Sequence, residues 1–342
     1  MKRCSSYLLL FSILLTVPVS AEPVPVTIGV PSSASDVIVY IARKKGFFTE
    51  ENLDVKFVPL DSAARMIAPL ASGDLDAGSG GVSAGLFNAV GRGIGLKIVA
   101  SKNSASPGRG IQPLLVRKQL VDSGRFKTLA DLKGLKISTA APGTSASTNL
   151  FKALQMGGLK ITDVEQVYMG FPQQAVALMN NAIDAAFTAE PSASQVIASG
   201  AAVRVMGDDE IFPNHQLAVV LFSSQFIAKK NAAAHGYMRA YLKAARFYND
   251  GVVNGRFAGA RGEEVVAILS EFIPIRNNDL YRTMVAADCD PDGALNLASL
   301  REDLEFFRNS GLIKGETSVE DAVDTSFTES AVKQMGAYKP AR

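Results

Sequence analysis

The stretch VPVTIGVPSSASDVIVYIARKKGFFTEENLDVKFVPL, residues 24–60, holds the repeating unit of the fold. Residues 24–30 are β-branched and apolar and run into a polar segment at 31–36. Val37, Ile41 and Ala42 then share one helical face, Gly46 is placed to cap the helix, and 53–60 returns to strand composition. Two apolar strands joined by a helix of about ten residues read as a parallel βαβ unit.

Outward from that stretch the alternation continues. It predicts helix 63–72, strand 75–80, helix 82–91 and strand 96–101. A second series follows: strand 136–139, helix 144–156, strand 164–168, helix 172–180, strand 185–188, helix 191–199 and strand 202–206. The two series echo each other. LASGDLDA at 70–77 and LMNNAIDA at 178–185 share a pattern 108 positions apart, and Pro31-Ser32-Ser33 and Pro142-Gly143-Thr144 each stand between a first strand and its helix. Two strand-like runs, 111–117 and 216–223, fall outside the alternation and read as crossovers between two α/β lobes. Beyond residue 225 the pattern is nearly all helical, as in 232–249 and 299–309, and those helices are expected to pad the first lobe.

The N-terminus has the layout of a secretory signal. Lys2 and Arg3 precede an apolar run at 8–17, and Val19-Ser20-Ala21 supplies a small-residue cleavage site after Ala21. The run is well short of the roughly 20 residues a bilayer crossing needs, and Pro18 interrupts it. Cleavage brings the basic residues level with the 33 acidic ones and removes Cys4, leaving Cys289 alone. No intramolecular disulfide can then form, and no lipoprotein cysteine stands at the cleavage site. The expectation is an exported, soluble, periplasmic monomer. Of 342 residues, 47% are hydrophobic and 20% charged, a globular composition. A formal charge of +2 gives no basic face for nucleic acid.

Motifs for chemistry are weak. Gly81-Val82-Ser83-Ala84-Gly85 spells the G-x-S-x-G nucleophile elbow at a strand-to-helix junction. Its base would have to be His215 or His235, and neither sits in a strand-end loop of the kind that presents one. Asp288 to Gly293 resembles the start of a calcium loop, yet Ser299 stands where the bidentate glutamate belongs. Nucleotide phosphate loops are absent. No cofactor, metal site or catalytic constellation is expected.

What remains are hydroxyl- and glycine-rich helix starts at strand C-terminal ends: 32–36, 80–83 and 142–147. Ligands of open α/β sheets bind outside those ends, and helix N-termini offer free N–H groups. Each serine or threonine can equally cap its own helix. Glu190 also ends a strand. No lysine or arginine lies in these loops, so a ligand would be held by N–H groups and hydroxyls.

Several segments resemble a known family: GFFTEENLDVKFVPL at 46–60, LASGDLDAGSGG at 70–81, LKGLKISTAAPGTSAST at 132–148 and ALMNNAIDAAFTAEP at 177–191. Their order and spacing are similar to the periplasmic solute-binding components of ABC importers for nitrate, taurine, alkanesulfonates and thiamine pyrimidines, over residues 26–312. The resemblance implies the two-lobed type II periplasmic binding fold, each lobe a mostly parallel sheet flanked by helices. Lobe I would comprise 22–110 and 220–342, and lobe II 111–219. It implies capture of a sulfonate, carboxylate, nitrate-like anion or pyrimidine-like compound by hinge closure, for delivery to an inner-membrane ABC permease. It places ligand contacts at Ser33, Ser35, Gly81, Val82 and Ser83 in the first lobe. In the second it places them at Thr144, Ser145, Ala146, Phe171 and Glu190. The chain has no tryptophan to line the cleft, as aromatic residues often do in relatives. The alternative is an exported enzyme, a serine hydrolase at Ser83 or a pyrimidine-forming relative. The latter uses a cysteine-rich motif and an active-site histidine, whereas this mature chain has one cysteine.

Overall fold

A computed structural model describes residues 22–340 of the chain; the predicted export signal and its cleavage site lie outside the described residues. Ten strands build two five-stranded sheets. The first contains β1 (Val24–Val30), β2 (Leu53–Pro59), β3 (Ala77–Gly81), β4 (Lys97–Ala105) and β10 (His215–Phe222), in the order β2-β1-β3-β10-β4. The second contains β5 (Leu114–Arg117), β6 (Lys136–Thr139), β7 (Glu165–Tyr168), β8 (Ala185–Phe187) and β9 (Ala202–Met206), in the order β7-β6-β8-β5-β9. The two orders match position by position, and each sheet has one strand antiparallel to the rest: β10 in the first, β5 in the second. The sequence echo has a structural meaning in this frame, because 70–77 and 178–185 lead into the equivalent strands β3 and β8.

The antiparallel strands β5 and β10 are each the first after a crossing between sheets. The chain crosses outward at 106–113 and returns at 207–214. The expected boundary at residue 219 falls inside β10 and is corrected here. All of β10 pairs with β3 and β4, so residues 215–219 belong to the first lobe. Both faces of each sheet are covered, which gives each lobe its own pair of apolar cores. This is why the strands read as apolar runs instead of alternating, as sheets buried on both faces do; β10 is buried along its whole length.

The helices after residue 225 pad the first lobe. Helix Asn231–Asn249 buries Ala234, Tyr237, Met238, Tyr241, Leu242, Ala245 and Tyr248, an i, i+3, i+4 stripe facing the core. Two of those tyrosines keep their hydroxyls paired: Tyr241 donates to the Ser101 carbonyl at 3.1 Å and Tyr248 to that of Ala287 at 3.0 Å. Helix Gly259–Phe272 brings Phe272 to stack on Tyr40 with ring centroids 4.8 Å apart. Among the described residues no helix is long and apolar enough to cross a membrane.

Candidate functional site

Strands β1 and β3 of the first sheet and β6 of the second point their C-terminal ends at one cleft, and helix starts follow each. Helix Ala84–Gly91 begins at N-cap Ser83, whose Oγ accepts from Leu86 N at 3.3 Å. Helix Ser145–Met156 begins after Gly143, which holds φ +59°. The lobes meet here through main-chain hydrogen bonds. Ala84 N donates to Gly143 O at 2.8 Å, Ser145 N to Val82 O at 3.0 Å, and Ala34 N to Glu190 O at 2.7 Å. Ser145 Oγ also crosses, donating to Leu217 O at 2.8 Å. Glycine permits this approach: a Cβ on Gly81 would lie 2.7 Å from Ser145 Oγ, and one on Gly143 3.3 Å from Ala84 Cβ.

Between these contacts remains a cavity of about 50 Å³. At roughly 10–15 Å³ per water-sized group, it accommodates roughly four. Seven of the ten sequence-derived residues line it: Ser33, Ser35, Gly81, Thr144, Ser145, Ala146 and Phe171. Val82, Ser83 and Glu190 do not. The Val82 side chain is buried in the first-lobe core and only its carbonyl reaches across. Ser83 is consumed as a helix cap. The Glu190 carboxylate turns onto its own helix, accepting from Ser194 N and Ser194 Oγ, both at 2.9 Å. Burial pushes its carboxyl up to about 7.

The sequence reading missed the charged part of the wall. Lys102 and Asn103, toward the C-terminal end of β4, line the cavity with Ser62 and Gln112. Lys102 is 2% exposed and its ammonium pairs with the Asp36 carboxylate, which is 1% exposed and sits behind it. Asp36 also accepts from Ser33 N at 2.7 Å and Ser79 Oγ at 3.4 Å. Asn103 Nδ2 and Ser62 Oγ are buried without a hydrogen-bond partner. The available signal was a Lys-Asn pair directly after the strand-like run 96–101, at the end where ligands bind. Ser62 lies in a loop that nothing in the sequence marks, and Gln112 lies in the run 111–117, which reads only as a crossover.

A second set of contacts joins the lobes beside the cavity. Thr148 Oγ1 donates to Asp303 Oδ1 at 2.5 Å, and Asp303 Oδ2 lies 2.9 Å from His215 Nε2. His215 Nδ1 lies 3.1 Å from Asn149 Oδ1. All four residues are buried. Phe151 packs on Phe306 and Lys152 pairs with Glu302 along the same helix pair. His215 is therefore committed to Asp303 and Asn149, while His235 lies against the ring of Phe327. Neither histidine is hydrogen-bonded to Ser83. In the acidic loop, Asp290 Oδ1 accepts from Asp292 N and Ala294 N, and Asp292 pairs with Arg246, so these carboxylates hold a turn. Burial raises the Cys289 thiol to about 12, which leaves it protonated and unreactive at neutral pH.

Two α/β lobes, two crossings and a cavity walled by both lobes define the class: a two-lobed α/β protein with the periplasmic binding fold. The chain belongs to the NMT1-like family, which it matches over residues 20–258. A Brucella abortus protein named as a candidate binding protein is 26% identical over 262 residues, covering 76% of this chain and 75% of that one. The nitrate-binding protein NrtA of Synechocystis PCC 6803 superposes with a TM-score of 0.77 at 14% identity, covering 92% of this chain and 90% of that one. The alkanesulfonate-binding protein SsuA of Xanthomonas axonopodis pv. citri gives 0.70 at 18%, covering 89% and 99%. The desulfurization enzyme DszB shares the fold at 0.60 and 16%, covering 91% and 99%. These structural likenesses define the architecture.

Proposed function

We propose that this chain is the soluble receptor of an ABC importer, exported with cleavage after Ala21 and acting as a monomer in the periplasm. It captures a small solute between its lobes and presents the closed form to an inner-membrane permease. The carrying observation is the cavity itself: it is walled by both lobes and bordered by main-chain hydrogen bonds that form only when they meet. A ligand touching both walls stabilises that closed arrangement over an open one, which is how binding shifts a hinge equilibrium. Ser33, Ser35, Gly81, Thr144, Ser145, Ala146 and Phe171 are the assigned contacts, joined by Lys102 and Asn103. The names of the relatives, a candidate binding protein and binding proteins for nitrate and alkanesulfonate, support this reading.

The receptor reading is preferred to a serine hydrolase because Ser83 caps a helix and both histidines are engaged elsewhere. A serine-directed fluorophosphonate probe separates the two: labelling of Ser83 would favour the hydrolase, and no labelling is expected. The receptor reading itself is tested by mass spectrometry of protein purified from the periplasm and then denatured. One equivalent of a small solute is expected. Its absence, together with no thermal stabilisation by a periplasmic extract, would contradict the receptor role.

A further inference from the structure

The cavity's chemistry bears on the charge of its ligand. Of the residues that line it, Lys102 is the one with a charged side chain, and that charge is already met by Asp36 in direct contact. The pair carries no net charge, with its positive end at the wall and its negative end behind. Behind the wall, Asp208 Oδ1 accepts from the main chain of the lining residue Gln112 at 3.0 Å, and Glu190, next in sequence to the lining residue Ala189, turns its carboxylate onto Ser194. Both are buried, and burial already raises their carboxyls, to about 6 for Asp208 and about 7 for Glu190. A region that resists ionising its own carboxyls also resists an additional desolvated anion.

Three of the helix-start N–H groups, at Ala34, Ala84 and Ser145, donate to carbonyls of the opposite lobe, so in the closed arrangement they hold the lobes together and are not free for a ligand. The side-chain groups that the cavity leaves unsatisfied are neutral: the Asn103 amide nitrogen and the Ser62 hydroxyl, both buried. The lining also includes the apolar residues Ile111, Ala146, Phe171 and Leu217. A buried amide without a partner is costly, and a ligand oxygen in its place recovers that cost.

Resting on the receptor reading, we propose that the cavity selects a compact, uncharged solute bearing hydrogen-bond acceptor oxygens, of the amide or sulfone class, and rejects the corresponding anion. Asn103 and Ser62 meet the acceptor end, Lys102 contributes the positive end of a neutral pair, and the apolar wall covers the remainder.

The test uses matched pairs of near-equal shape on the full mature protein: acetamide against acetate, and dimethyl sulfone against methanesulfonate. Thermal unfolding at millimolar concentrations should show stabilisation by the neutral member of a pair, with the anion at least tenfold weaker. Equal or greater stabilisation by the anions overturns the proposal. If no probe stabilises the protein, the co-purified solute decides: an uncharged molecule supports the proposal and an anion overturns it, while either one leaves the receptor reading standing. Asp36→Asn, which frees the Lys102 charge, should shift preference toward acetate and methanesulfonate. A folded Asp36→Asn protein with unchanged preference would contradict the charge argument, and the wild-type pairs keep the test decisive if that variant does not fold.

Discussion

Gly81→Ala isolates the closed state from the fold. Gly81 is not held at positive φ, so alanine brings no backbone strain, and within its own lobe the added methyl meets no atom closer than the Leu217 carbonyl at 3.6 Å. Across the cleft it lies 2.7 Å from Ser145 Oγ, inside contact distance. Relief requires that hydroxyl to rotate away from Leu217 O, which it now reaches at 2.8 Å. The loss is one interlobe hydrogen bond together with a buried group left unmade, about 1–3 kcal/mol in all. At about 1.4 kcal/mol per tenfold, ligand affinity falls by about five- to 150-fold. Urea unfolding of the unliganded protein should be nearly unchanged. Calorimetry with the co-purified solute, run as a double-mutant cycle with Ser145→Ala, measures the coupling. Removing the hydroxyl removes the clash, so the double variant should bind about as well as Ser145→Ala alone. Simple additivity of the two losses, or wild-type affinity in Gly81→Ala, would refute the reasoning.

Asp303→Ala leaves His215 Nε2 buried without its partner in the first lobe and should cost about 1–3 kcal/mol in urea unfolding, whereas an exposed change such as Glu305→Ala should cost little. Thr144→Ala should weaken solute binding less than Ala146→Phe, because the first removes a hydroxyl from the wall and the second fills the cavity; calorimetry ranks them, and unchanged affinity in both would place the site elsewhere. Glu190 gives a pH signature. Its folded carboxyl is raised to about 7 from an ordinary 4.5, so its contribution to stability is fully present below about pH 4.5 and is lost as pH rises through about 7. The loss is about 3 kcal/mol. Glu190→Gln should flatten the urea-unfolding profile over that interval, and an unchanged slope would show that another group carries it.

The fold was legible because most of its strands read as apolar runs set apart by helices of a different period. The runs at 24–30, 136–139 and 202–206 coincide with β1, β6 and β9, since an apolar run bounded by turn residues has few other ways to fold. The antiparallel strands were recognisable as breaks in the alternation, but not the sheet each would join, because pairing between residues as distant as Ala218 and Gly81 leaves no local trace. Serine- and glycine-rich helix starts found part of the cavity wall. They misassigned Ser83 and Glu190 because the same residue types cap helices, and here they do. Lys102 was missed for a different reason: the sequence pattern ends its strand at residue 101, and only the fold extends β4 to Ala105 and shows Asp36 waiting for Lys102 from the loop after β1. The latch of Thr148, Asn149, His215 and Asp303 joins residues from two helices and a strand far apart in the chain, and no spacing rule reaches it.

The most direct test of a solute receptor with an interlobe site is a crystal structure of the protein with its co-purified solute. The expected result is the solute enclosed between Ser33, Lys102 and Asn103 on one side and Ser145, Ala146 and Phe171 on the other, with the Ala84–Gly143 and Ser145–Val82 main-chain bonds formed. Solute bound outside this cleft, or within it while those bonds stay open, would contradict the account.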